Sequence, residues 1–246
     1  MIVFNYQKNS QNGAIKLEIK LIYFNQPFWR AEVARLPLFM SKIEFEDFRI
    51  TDDDLTYLKA HGKLKDGASI PFRQLPVLVV DGESVAQSAG IARICGKLSG
   101  MYPENIIEAG KVDQIIDTVT DINEMLNPSM REDDPMIKKK MRAELSNDAL
   151  PRYFGYLEEI LEANNSGWFV GDDMTIADIA VWSLIGWIAQ GVLDDIPADL
   201  PKSFERLTHL YNQISQKPKV QEWKRMTYSY EESATGEYNY HVPDKI

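Results

Sequence analysis

Cysteine is all but missing from this chain: in 246 residues it occurs once, at Cys95. A lone thiol excludes an internal disulfide and any Cys-x-x-Cys redox pair. Histidine is nearly as scarce, and His61, His209 and His241 lie too far apart for metal-ligand spacing, so no metal is expected. No apolar run approaches the roughly 20 residues of a membrane helix, so no membrane insertion is expected. The first 18 residues hold Lys8 and Lys16 but no arginine and no apolar stretch of the length a leader uses. They read as neither a secretory signal nor a transit peptide. Positive charge is short as well, with 27 Lys and Arg against 37 Asp and Glu, a net charge of -10. That balance lacks the basic footprint of a nucleic-acid binder, and Lys138-Lys139-Lys140 sits among acidic residues as a solvated helix face. No internal repeat is visible. A reducing, cytoplasmic setting is the expectation.

What is present is an ordinary globular balance, 44% hydrophobic and 26% charged residues, in a chain long enough for one large domain or two small ones. Leu17, Ile19, Leu21 and Tyr23 alternate with Glu18, Lys20, Ile22 and Phe24, the period of a strand. A turn at Asn25-Gln26-Pro27 leads to a helix beginning at Arg30-Ala31-Glu32. Pro37 falls inside that helix, where proline costs about 3 kcal/mol or more, so the helix is expected to kink or end early. Residues 43–50 read as a second strand, and a short helix is expected near 55–60. Residues 77–80 and 83–86 form a hairpin around Asp81-Gly82, followed by a helix over 88–98.

Past Gly100 no strand signal returns. Pro103 opens a helix to about residue 125, and Asp134-Pro135 opens another to about 163 with a break or kink at Pro151. Further helices are expected from Thr175, near Pro201 and near Pro218. The division is therefore an extension over 1–15, an α/β domain over 16–99, an all-α domain over 103–227 and a tail over 228–246.

Three places could carry chemistry. In Arg73-Gln74-Leu75-Pro76-Val77-Leu78 a proline opens a strand, a position that keeps it out of the ladder. Gln87-Ser88 then begins a helix, whose unpaired N–H groups and dipole suit an anion. The pair suggests a peptide-like anionic ligand, although Ser88 also serves as an ordinary cap. Tyr23 ends an apolar strand face, either as a core aromatic or as an O–H donor to a thiolate. Thr175-Ile176-Ala177-Asp178 is a capping-box signal for a core helix bearing Ile179, Trp182, Leu184 and Trp187. Cys95 lies on an apolar helix face as a buried thiol.

Together these segments resemble the cytosolic glutathione transferase family, most closely its tyrosine-type, sigma-like members. The resemblance runs from Lys16 to Thr227. It rests on Tyr23-Phe24-Asn25 with Arg30-Ala31-Glu32, on Gln74-Leu75-Pro76-Val77-Leu78, and on Gln87-Ser88 with Ile91 and Arg93. In the second half it rests on Phe169-Val170-Gly171 with Thr175-Ile176-Ala177-Asp178. It implies the glutathione transferase fold: an α/β thioredoxin-like N-terminal domain plus an all-α C-terminal domain. It further implies a cytoplasmic detoxification enzyme that joins glutathione, its co-substrate, to small apolar electrophiles as a homodimer. Tyr23 then stabilises the thiolate and Arg30 buttresses the site. Phe24 is among the glutathione contacts. Leu75 pairs its backbone with the cysteinyl part beside a cis Pro76, Gln87 and Ser88 hold the γ-glutamyl end, and Lys59 with Gln74 hold the glycyl end. Asp113 matches an acidic residue that reaches the partner subunit's glutathione.

The chain also departs from the family pattern. Seven positions separate Tyr23 from Arg30 where six are expected, and Gln26-Pro27-Phe28-Trp29 replaces a small glycine-containing turn. Phe28 and Trp29 are expected to line and narrow the pocket for the second substrate. Leu55 stands where many relatives place a tryptophan, and the loop over 61–69 is long. Two other readings stand beside the transferase: a glutathione-dependent isomerase, which the sigma-like resemblance implies, and a non-catalytic structural or scaffold subunit, which these departures favour.

Overall fold

A computed structural model describes residues 17–25 and 28–227. The turn at Gln26-Pro27, the extension over 1–15 and the tail over 228–246 lie outside them. Strands β1 (Ile19–Tyr23), β2 (Glu46–Arg49), β3 (Val77–Val80) and β4 (Glu83–Ala86) form one sheet in the order β2-β1-β3-β4. β1 runs parallel to β2 and antiparallel to β3, and β3 antiparallel to β4.

The alternation in β1 decides what covers each face. Ile19, Leu21 and Tyr23 point toward α1 (Glu32–Met40) and α3 (Ser88–Ser99), burying against Ala31, Ala34, Leu38, Ile91 and Cys95. Ile22, Val77 and Val79 point the other way, toward Leu58 of α2 (Asp52–His61) with Leu64 and Ile70. The result is a mixed sheet between helical layers.

The second half is helical among the described residues: α4 (Ile106–Met130), α5 (Pro135–Glu144), α6 (Leu150–Asn164), α7 (Ile176–Ala189), α8 (Glu205–Ser215) and α9 (Pro218–Thr227). Every residue of α7 from Ile176 to Ile188 is buried, as a helix apolar on all sides must be. Helices α1, α4 and α8 pack around it. Its start is fixed by Asp178, whose carboxylate accepts from the N–H and hydroxyl of Thr175 (2.6 and 2.9 Å) and from the Phe169 N–H (2.9 Å).

Prolines punctuate differently from the sequence expectation. α1 does not end at Pro37; it continues to Met40, and Ser41 N–H donates to the Pro37 carbonyl at 3.1 Å. Burial of residues 32–38 on every side holds the helix through the missing bond. α4 begins after Asn105 rather than at Pro103, because Asn105 Oδ1 accepts from the N–H groups of Ile107 and Glu108. It also runs past the expected end, through Pro128 to Met130. The interruption assigned to Pro151 lies earlier, in a π-helical turn over Leu145–Ala149. Pro151 follows that turn, within a backbone that stays helical from Glu144 through Leu150. Near Pro201 there is a 3-10 turn, Leu200–Ser203, and α8 follows it.

Cys95 is fully buried, and burial pushes its thiol up to about 12. A thiolate-selective reagent at pH 8 is therefore expected to label the native chain far more slowly than the urea-unfolded one. Equal rates would contradict this placement.

Candidate functional site

Strand register brings three sequence signals to one end of the sheet. Ile22 pairs with Val77 and Val77 with Ala86, so Tyr23, Pro76 and Gln87 are the next residues outward on β1, β3 and β4. The Leu75–Pro76 peptide bond is cis. β4 hands over to α3 at Gln87, whose backbone is left-handed (φ 75°), and no side chain caps the helix. The first N–H groups of α3 thus meet the sheet edge without an internal acceptor, which is the anion-binding arrangement the sequence suggested.

Lys59 and Arg73 form a reciprocal clasp. Lys59 Nζ donates to the Arg73 carbonyl (2.8 Å), and an Arg73 guanidinium N–H donates to the Lys59 carbonyl (2.9 Å). This ties the end of α2 to the turn that delivers Gln74 and Leu75. Gln74 and Gln87 are exposed and Leu75 and Ser88 half-buried.

Tyr23 is 1% exposed, and its hydroxyl has no hydrogen-bond partner among the described residues. Burial raises its pKa well above the phenol range. The nearby Arg30 and Arg35 charges oppose that shift without cancelling it. The hydroxyl is therefore a neutral donor at physiological pH. Its ring meets those of Phe24 and Trp29 edge-on, with centroids 5.2 and 6.2 Å away.

Arg30 reaches across to α4, donating to Glu124 Oε1 (3.2 Å) and Asn127 Oδ1 (3.3 Å). Asp113, also on α4, accepts from Arg93 Nε (2.7 Å) and the Tyr102 hydroxyl (2.8 Å). Arg30 and Ser88 share a cavity of about 20 Å³ at the seam between the two halves. None of the other expected site residues lines it, neither Tyr23, Phe24, Lys59 and Gln74 nor Leu75, Pro76, Gln87 and Asp113. A wider open groove of about 440 Å³ near Phe39, Phe45 and Trp223 holds none of the expected site residues.

The two aromatics of the departing turn part company. Phe28 does not line the cavity as expected. It is 1% exposed, in the helical core against Trp182 and Tyr211 (centroids 4.7 and 6.4 Å). Trp29 does line it, stacked on Trp187 of α7 at 4.9 Å and 14°. Both have positive φ, 54° and 56°, a conformation non-glycine residues hold only when their surroundings impose it. Three contacts do so. Ser183 Oγ donates to the Trp29 carbonyl (2.7 Å). The Phe28 N–H donates to Glu32 Oε2 (3.2 Å), and Trp223 Nε1 of α9 donates to Glu32 Oε1 (2.6 Å).

Sequence reasoning missed Ser183, Asn123, Trp187 as a cavity wall, and the Glu32–Trp223 link. Only Gly186 inside an apolar helix signalled that something large sits against α7. An added Cβ there falls well inside contact distance of the Phe28 ring.

Residues 120–226 match the family model described as glutathione S-transferase, C-terminal domain. The chain is 30% identical to glutathione S-transferase 3 of Caenorhabditis elegans over 83% of its own length and 94% of that protein's. Among solved structures, it is similar to prostaglandin synthase D of Nilaparvata lugens, at TM-score 0.73 and 30% identity, covering 84% of this chain and 96% of that one. A monomeric glutathione S-transferase of the hookworm Necator americanus superposes at TM-score 0.70 with 27% identity, covering 85% and 97%.

Proposed function

Because this chain belongs to the glutathione S-transferase family, we propose that it conjugates glutathione to electrophiles at the sheet edge formed by Tyr23, Pro76 and Gln87. The observation that supports this reading is that Tyr23, the cis Pro76 and Gln87 end at the same edge of the sheet, where α3 starts without a side-chain cap. The γ-glutamyl carboxylate seats on the N–H groups and hydroxyl of Ser88, beside Gln87. The backbone of Leu75 pairs with the cysteinyl unit, next to Pro76 and Phe24. Lys59 and Gln74 take the glycyl carboxylate, and Arg30 holds the loop against α4.

A free thiol titrates at about 8.5 and is mostly protonated at neutral pH. A hydrogen bond from Tyr23 to the sulfur favours the thiolate. The thiolate then bonds to the electrophilic carbon as the leaving group departs with its electron pair. Holding both reactants together supplies part of the rate.

The test is Tyr23→Phe. The expected result is a drop in conjugation of about a hundredfold, the scale of losing one preorganised donor, with little change in glutathione affinity. Unchanged turnover removes Tyr23 from the mechanism. The reading extends to the 16–99 and 103–227 division as glutathione-binding and substrate domains, and to a cytoplasmic homodimer with a detoxification role. Sedimentation as a monomer takes Asp113 out of the site.

Similarity to a prostaglandin synthase favours a second reading, an isomerase that uses glutathione without consuming it. Turnover of an endoperoxide with no loss of glutathione distinguishes the two.

A further inference from the structure

We infer that Trp29 sets the size of the second substrate, so that this site accepts compact electrophiles and shuts out aryl ones. The inference rests on the transferase reading and names the class of co-substrate. The seam cavity, about 20 Å³, is walled by Trp29, Ala92, Ile116, Val119, Leu184 and Trp187, with Arg30 and Ser88 at its border. That volume holds about one water molecule, whereas a cavity of about 150 Å³ is the scale that takes a benzene ring.

The indole fills the remaining space, and it is fixed there from three directions. Its ring stacks on Trp187, its carbonyl is held by Ser183, and the preceding Phe28 is anchored in the helical core. Its Nε1 is buried without a partner among the described residues, and so is Asn123 Oδ1 on the facing helix. A methyl or primary halide needs far less of this space than an aromatic ring, which does not fit. The reaction that suits the space is displacement at an unhindered carbon. The thiolate sulfur bonds to a methyl or primary carbon, and the halide leaves with the bonding pair.

The experiment compares wild type, Trp29→Ala and Trp187→Leu with iodomethane and with 1-chloro-2,4-dinitrobenzene, in each case with glutathione. The expected result is a rise of about tenfold or more in the kcat/KM ratio of the aryl over the methyl halide in both variants. Trp187→Leu enlarges the same cavity from α7 and carries the test if Trp29→Ala does not fold. A ratio within about twofold of wild type in the folded variants overturns the inference. Fluorescence of 8-anilinonaphthalene-1-sulfonate gives an arm independent of catalysis, with binding expected in the variants and not in wild type. Failure of every version to bind immobilised glutathione counts against the transferase reading. The dye arm then still decides the cavity, and equal dye binding by wild type and variants overturns the role of Trp29.

Discussion

Asp178→Ala is expected to lose about 3–5 kcal/mol of folding stability, the scale of stranding several donors that served one buried charge. The carboxylate is fully buried and accepts three hydrogen bonds that join the start of α7 to the segment at Phe169. Alanine leaves the Thr175 and Phe169 N–H groups without an acceptor, at the entrance to the helix around which the second half packs. A urea titration reads the loss as a lower midpoint with an unchanged slope.

The group also marks itself by pH. Burial pushes Asp178 up to about 6, against the opposing pull of its Thr175 and Phe169 bonds. The folded carboxyl therefore holds its proton more tightly than an unfolded aspartate, which titrates near 3.9. Its contribution to stability is fully present below about pH 4 and is lost as pH rises through about 6. The penalty of Asp178→Ala is thus expected to grow as pH falls from 7 to 5. A penalty that shrinks over that range contradicts the assignment.

Phe28→Ala is the second large effect, a loss of about 3–5 kcal/mol as expected for a phenylalanine removed from a packed core. The ring lies against Trp182 and Tyr211, opposite the one position in α7 where a glycine makes room. Because Phe28 anchors Trp29, the variant is also expected to show stronger apolar-dye binding at temperatures where it remains folded. Loss of stability on that scale without new dye binding separates the anchor from the cavity wall. Gly186→Ala attacks the same contact from the opposite side and is expected to destabilise in the same way.

The elements were legible wherever local chemistry alone decides them. The alternation of β1, the Asp81-Gly82 hairpin and the reciprocal cap at Thr175 and Asp178 follow from side-chain period and short-range hydrogen bonds. The placement of Leu75, Pro76, Gln87 and Ser88 at one sheet edge was legible for the same reason: one hairpin and one helix start set it. The expectations that failed depended on distant partners. Pro37 reads as a helix breaker until α3 and α7 bury the helix around it. Phe28 and Trp29 are neighbours of one chemical kind, and nothing local says that one enters the core while the other walls the cavity. Gly186 and Trp187, far along the chain, make that choice.

Glu32 carries a consequence for how the protein is made. Its carboxylate is shared between the Phe28 N–H, near the beginning of the described fold, and the indole of Trp223, in its last helix. During synthesis the early partner emerges long before the late one. The turn carrying Phe28 and Trp29 therefore gains its second tether only once α9 has been translated.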